Sequence, residues 1–185
     1  MKRAKIIKNG HLNLQQIKVE ANKNKVLFFD SDAHLLMKTI YDEQWALEEA
    51  MRFANKSKCK SKRGVVIWHR RHGLISGGWN APPLPLECDG SEACRANCAK
   101  TAVHAEQAAL MAAINCHLPM SECEMIHVKS VDGHPVVSEK PSCWQCSKLI
   151  LAAGLKAMWL YQVEGFVRYT PTDFHEKTLI NCELK

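Results

Sequence analysis

The chain contains no apolar run that approaches the length of a bilayer crossing, which argues against a transmembrane protein. Its first residues, Met1-Lys2-Arg3-Ala4-Lys5-Ile6-Ile7-Lys8, lack the continuous apolar stretch of a secretory signal. Repeats and low-complexity tracts are also missing, so solenoids and disordered arrays are not expected. Without a signal for secretion, the nine cysteines do not read as a disulfide framework. A cytoplasmic protein with reduced thiols is expected instead. At 185 residues, 46% of them hydrophobic, the chain can bury a sizeable core but is short for two typical domains.

Positive charge is present in excess, at +6, and it is unevenly placed. Lys2, Arg3, Lys5 and Lys8 open the chain, and Lys56, Lys58, Lys60, Lys62 and Arg63 fall within eight residues. Such a run could hold phosphate or nucleic acid. Because no aromatics are interleaved with it for base stacking, Lys56 to Arg63 reads better as a solvated loop. Arg70 and Arg71, beside a hairpin turn, are open to either reading.

Two short motifs carry chemistry. The first is His104-Ala105-Glu106, and the second is Pro141-Ser142-Cys143-Trp144-Gln145-Cys146. Together they supply one imidazole, two thiolates and a carboxylate that is not needed as a ligand. Three ligands leave the fourth tetrahedral position of Zn²⁺ open to water, and Glu106 can take and return that water's proton. Cys143 and Cys146, three residues apart at the start of an apolar stretch, share one face of a first helical turn. His104 and Glu106 open a second helical run, so two helix N-termini point at the ion and favour the thiolates. Taken alone, C-x-x-C also fits a buried pair or a structural half-site, and H-x-E an ordinary helix start. In this order, each opening a helix after a strand, they point to a catalytic zinc.

Apolar spacing predicts a helix from about Ala33 to Asn55, capped by Ser31 or Asp32. Gly64–Trp68 and Leu74–Trp79 read as a hairpin turning at His72-Gly73. A long loop with Pro82, Pro83, Pro85 and Gly90 follows, and its length suggests a role of its own. After the His104 helix come a strand at Met125–Lys129, the Cys143 helix ending near Gly154, a strand at Ala157–Tyr161, and a last helix capped around Pro171-Thr172-Asp173. Strands alternating with helices after a hairpin indicate an α/β fold, a mixed central sheet with helices on both faces. The apolar burst Val26–Phe29 has no place in this scheme.

The pattern H-x-E…P-C-x-x-C is the zinc deaminase signature. From about residue 35 onward, and most tightly from Gly64 to Leu160, the chain resembles the cytidine deaminase superfamily and, within it, the deoxycytidylate (dCMP) deaminases. The resemblance rests on Gly78-Trp79-Asn80-Ala81-Pro82-Pro83, on Cys88-Asp89-Gly90, Cys94 and Cys98, and on Thr101-Ala102-Val103-His104-Ala105-Glu106-Gln107. It implies a three-layer αβα sandwich over residues 34–185, with residues 1–33 an extension of unassigned role. It further implies Zn²⁺ on His104, Cys143 and Cys146, Glu106 as proton carrier, Asn80 on the sugar, the Ala105 amide on the pyrimidine O2, and Ser142 at the rim near the 4-amino group. Three departures stand out: Trp79 and Ala81 replace the family's Tyr and Gly, and Ser142 separates Pro141 from Cys143.

Cys88, Cys94 and Cys98 suggest a second, structural zinc, since three thiols within eleven residues of a reduced protein need only one more ligand. Cys59, His69, His72, Cys116 and His117 all remain open as the fourth. The alternative is three small buried residues in a loop. Cys123, Cys182, His127 and the other histidines read as incidental. The expected reaction is dCMP to dUMP and ammonia, with a free nucleotide rather than nucleic acid as partner and no membrane. A deaminase of tRNA adenosine or single-stranded cytosine is the alternative, and a non-catalytic zinc module a further one. For the phosphate, Arg95 and Lys100 stand beside Arg70 and Arg71 without a ranking. The Trp79 loop and the Trp159 strand end offer apolar surface for a closed homo-oligomer, a hexamer being common in the family.

Overall fold

The computed structural model describes residues 25–29, 35–138 and 140–184. Contacts divide the chain between Ile40 and Tyr41. In the first unit, β1 (Lys25–Phe29) pairs antiparallel with β2 (Leu35–Thr39), which accounts for the apolar burst at Val26–Phe29. The helix expected from Ala33 therefore starts later. It is α1 (Glu43–Lys56), whose N-cap Asp42 accepts from the Trp45 N–H at 2.8 Å. The β-rich stretch Leu35–Thr39 has a partner strand to satisfy its backbone, and that tertiary pairing overrides the helical spacing. Ser31 and Asp32, read as caps, lie outside the described residues.

The second unit is a mixed sheet of six strands between helical layers. Its elements are β3 (Lys62–His69), β4 (Gly73–Trp79), α2 (Glu92–Thr101), α3 (Ala105–Ala112), β5 (Glu124–Val131), β6 (His134–Val136), α4 (Trp144–Ala152), β7 (Ala157–Gln162), β8 (Gly165–Tyr169) and α5 (Pro171–Asn181). The strand order is β4-β3-β5-β7-β8, with β6 added to β5. β5 and β7 run parallel, as a crossover through α4 requires, and the other pairs are antiparallel. The short strands β6 and β8 and the helix α2 were not foreseen. Within the proline-bearing loop, Ser91 caps α2 by accepting from the Cys94 N–H at 3.0 Å.

Side-chain alternation separates two cores. Val66 and Trp68 of β3 and Ile126 and Val128 of β5 pack against Ala46, Leu47, Ala50 and Ala54 of α1. On the other face, Val65, Ile67 and Met125 pack against Ala105 and Ala109 of α3, Ile150 of α4 and Phe174 of α5. Gly78 lets α3 sit directly on β4, because a Cβ there would stand 2.5 Å from the Ala105 carbonyl oxygen and the Ala109 nitrogen. The start of α3 is thereby pinned to the sheet.

Trp79 and Trp159 do not supply the exposed surface expected of them. Trp159 is 8% exposed and donates to Glu124, while Trp79 is half-buried and stacked on Phe53. Met111, Ile114, Leu149 and Leu151 of the α3 and α4 region are among the exposed apolar residues instead. Among the described residues, no helix is long and apolar enough to cross a membrane.

Candidate active site and metal groups

His104 is the N-cap of α3 and Cys143 the N-cap of α4, so both motifs open helices; Cys143 follows the strand β6, whereas His104 follows the helix α2 and not the strand expected before it. The His104 N–H donates to the Gln107 side chain at 3.0 Å, which holds the cap in its extended conformation. Its Nδ1 lies 3.3 Å from the Cys143 sulfur and 3.2 Å from the Cys146 sulfur. Zinc bonds of ordinary length at tetrahedral angles put such atoms about 3.5 Å apart, so this donor set fits Zn²⁺. The interaction between the two thiols holds Cys143 below its ordinary value and, with burial, raises Cys146, and the Cys146 backbone N–H also donates to the Cys143 sulfur. Cys143 also raises His104 through the hydrogen bond between them.

Glu106, one residue into α3, is 4% exposed and is not part of the three-ligand group. It accepts a hydrogen bond from the Ser142 hydroxyl at 2.5 Å, the short range expected of a charged acceptor. Ser142, the residue that departs from the family pattern, therefore holds the carboxylate in place. His127, set aside in the sequence as incidental, is 5% exposed, and its Nδ1 stands 3.9 Å from the Glu106 carboxylate without a hydrogen-bond partner. Burial holds the imidazole below its ordinary value, opposed by the Glu106 charge. For Glu106 burial acts upward, but His127, the Ser142 hydroxyl and its own backbone N–H outweigh it and hold the carboxyl below the usual range. His127 was missed because only pairing of β5 against β3 and α3 brings it to Glu106. Its one local sign was a polar side chain facing the core side of an apolar strand.

His104, Cys143, Glu106, Ser142 and His127 line a cavity of about 640 Å³, with Cys146 buried and not part of its wall. Ala105 and Asn80 line it too. Asn80 accepts from the Arg63 N–H at 2.7 Å and donates to the Ser61 carbonyl at 2.8 Å, clamping the start of β3 and leaving one amide N–H unused by these bonds. Mutual hydrogen bonds between Ala81 and Val103 tie this loop to the residue before His104.

A second sulfur group borders the same cavity. The Cys94 sulfur is 3.5 Å from that of Cys88 and 3.6 Å from that of Cys98, and Cys59 joins Cys88 and Cys98 with ligand atoms all within 4.8 Å. Of the open candidates for a fourth ligand, Cys59 is the one beside the cluster. His69 and His72 stack on each other at the hairpin turn, and Cys116 lines an apolar groove along α3. Cys59, Cys88 and Cys98 form a group that could hold a metal ion, and Cys94 adjoins two of its three members. Burial and the Cys94 hydrogen bond push the Cys98 thiol up to about 12, whereas the Gly90 N–H and Cys94 hold Cys88 below its ordinary value.

The expected cations are distributed differently. Arg70 is tied to Glu124 at 2.9 Å and Glu43 at 3.2 Å, so it is a structural partner of a buried acid. Lys100 and Arg71 are exposed and outside the cavity wall, while Arg95 is in it. Arg63, grouped above with a solvated loop, is instead half-buried in β3 and lines the cavity.

No family model and no curated protein matches the chain. Among solved structures it is similar to dCMP deaminase from the cyanophage S-TIM5 in apo form, at 23% identity and a TM-score of 0.48, covering 62% of this chain and 78% of that one. The same phage enzyme in complex with dCMP and dUMP gives 23% and 0.49, covering 63% and 77%. Cytidine deaminase from Mycobacterium leprae gives 16% and 0.46, covering 69% and 94%.

Proposed function

We propose that this chain is a zinc-dependent hydrolase that converts dCMP and water to dUMP and ammonia. The observation that carries the proposal is the convergence of His104, Cys143 and Cys146 on one point beside a buried carboxylate that is not one of the three ligands. Zinc held by these three residues would supply the Lewis acid that makes water a nucleophile near neutral pH. Glu106 would carry one proton of the water to the pyrimidine N3 and the other to the leaving amine, while the Ser142 hydroxyl keeps the carboxylate oriented. The Ala105 N–H would meet the pyrimidine O2, and the remaining Asn80 amide N–H the sugar. His127 would bound the base pocket beside Glu106.

A free nucleotide is preferred to nucleic acid because, among the described residues, no Phe, Tyr or Trp lines the cavity to stack successive bases. A structural zinc on Cys59, Cys88, Cys94 and Cys98, a homo-oligomer covering the exposed α3 and α4 residues, and a compartment that keeps thiols reduced belong to the same proposal. The test is ammonia release from cytosine, deoxycytidine, dCMP, dCTP, guanine and a cytosine-bearing oligonucleotide, using zinc-loaded protein. dCMP should lead. Efficient turnover of the oligonucleotide would replace the substrate, and no release from any of them would end the enzymatic reading.

A further inference from the structure

A histidine in the middle of an apolar sheet lowers stability unless something occupies its polar atoms. On the central strand β5, His127 is paired with Val65 of β3 on one side and Leu160 of β7 on the other, both fully buried, and Met125 precedes it on the same face. An apolar side chain suits this layer. The imidazole is instead 5% exposed, lines the cavity, and leaves Nδ1 without a hydrogen-bond partner among the described residues. A buried polar atom left unpaired is unfavourable, and the loss is recovered when a bound molecule supplies the partner. Strand pairing on both sides fixes the backbone of His127, so its nitrogen is presented at a set place in the wall.

The neighbouring carboxylate indicates what that partner is. Oε1 of Glu106 accepts from the Ser142 hydroxyl, and the same oxygen stands 3.9 Å from Nδ1 of His127. That separation is too long for a direct hydrogen bond. A single nitrogen bearing two protons spans it. Placed about 2.9 Å from both atoms, it subtends an angle of about 85°, and each hydrogen bond keeps the roughly 150° or more that such bonds prefer. With its own proton on Nε2, the imidazole offers Nδ1 as the acceptor this requires. In the proposed reaction, the group that brings two protons on one nitrogen to Glu106 is the 4-amino group of the base. Ser142, which meets the same carboxylate oxygen, is the residue expected at the rim near that group.

Building on the proposed deaminase reading, we infer that His127 is a further catalytic residue, whose Nδ1 accepts a hydrogen bond from the 4-amino nitrogen and keeps it while that nitrogen departs as ammonia. When the C4–N bond breaks, the nitrogen keeps the electron pair and takes the second proton of the water from Glu106, leaving as NH3. The water oxygen stays on C4 as the carbonyl. A nitrogen that gains positive character is a stronger donor, so the contact to His127 is tighter in the transition state than in the bound substrate. Its effect therefore falls on kcat.

The experiment compares zinc-loaded wild type with His127→Leu, which removes the acceptor, and His127→Asn, whose side-chain oxygen reaches the place of Nδ1. Each receives dCMP and the 4-methoxy analogue of the same nucleotide, which releases methanol on hydrolysis and offers no N–H to His127. The ratio of kcat on dCMP to kcat on the analogue should fall at least about tenfold in His127→Leu, the loss of one hydrogen bond from a charged donor. In His127→Asn it should return to within about twofold of wild type. Zinc content and affinity for dUMP, which carries no amine, should stay at the wild-type level in both variants. The Tm of His127→Leu should stay level or rise, because an unpaired buried nitrogen has been removed. An unchanged ratio with both substrates slowed alike would make His127 the seat of a bound water or a support for Glu106, and would overturn the inference. Loss of zinc, a lower Tm, or dUMP binding weakened as much as dCMP turnover in both variants would make the residue structural and overturn it likewise. In those outcomes wild type still deaminates, and the deaminase reading stands. If wild type releases neither ammonia nor methanol, that reading fails and the inference falls with it.

Discussion

The two sulfur groups bordering the cavity have nearly the same elements and opposite designs. His104, Cys143 and Cys146 sit at the first turns of α3 and α4, helices pressed onto the main core of the sheet. They offer three ligands and have a buried carboxylate beside them. Cys59, Cys88, Cys94 and Cys98 come from the segment before β3, from the long loop and from α2, of which no residue belongs to either core. They offer four ligands and no carboxylate among them. A tetrahedral ion is open to reactants in the first group and closed in the second. Ligand number and scaffold, rather than the presence of cysteine, separate chemistry from reinforcement.

The sharpest way to break this contrast is to remove a ligand from the open group. Cys146→Ala should abolish both activity and one zinc per chain, because two ligands cannot retain the ion at useful affinity. Metal analysis with an ammonia assay checks it, and a fully active variant would move the metal elsewhere. Glu106→Gln comes next. It should retain wild-type zinc content and lose at least about 10²-fold in kcat, the lower bound for a positioned proton carrier. Loss of zinc from this variant would make Glu106 a ligand and dissolve the distinction between the groups.

Ser142→Ala should act through Glu106 more gently, lowering kcat about tenfold with zinc retained, since it removes one hydrogen bond to a buried carboxylate. An unchanged kcat would show that the helix backbone alone orients the acid. The smallest effect on catalysis should come from the closed group. Native protein should hold about two zincs per chain, and Cys59→Ser or Cys94→Ala should reduce that to about one and lower Tm far more than kcat on dCMP. One zinc in native protein, confined to the open group, would return these four thiols to packing.

Two buried acids make the same point about legibility. Glu124 and Glu106 are both glutamates in the centre of the fold, yet Glu124 is surrounded by Arg70, Trp159 and Lys156, while Glu106 has a hydroxyl and an imidazole. Glu106 was recognisable beforehand because H-x-E is a local motif read at the start of a helical run. Glu124 was not, since its partners are 54, 35 and 32 positions away. Strands β3, β5 and β7 and the helices after His104, Cys143 and Thr170 were likewise legible from apolar alternation and caps. The start of α1 was misread because the β1–β2 pairing competes with helical spacing, and α2 because its cap lies in a loop rich in proline and glycine.

What the sequence determined by itself is the chemistry encoded within single turns: two short motifs, three and four residues wide, each opening a helix, and the proposed proton carrier one residue into α3. Such features depend on backbone geometry over a few residues, which local spacing specifies. Tertiary structure alone decided that Cys59 completes the sulfur cluster, that His127 stands beside Glu106, and that Arg63 opposes Lys129 across β3 and β5. Those pairings follow from sheet register, and a slip of one residue would send each of these side chains to the opposite face. Register is set by how both cores pack at once, a property of the whole chain that no window of sequence contains.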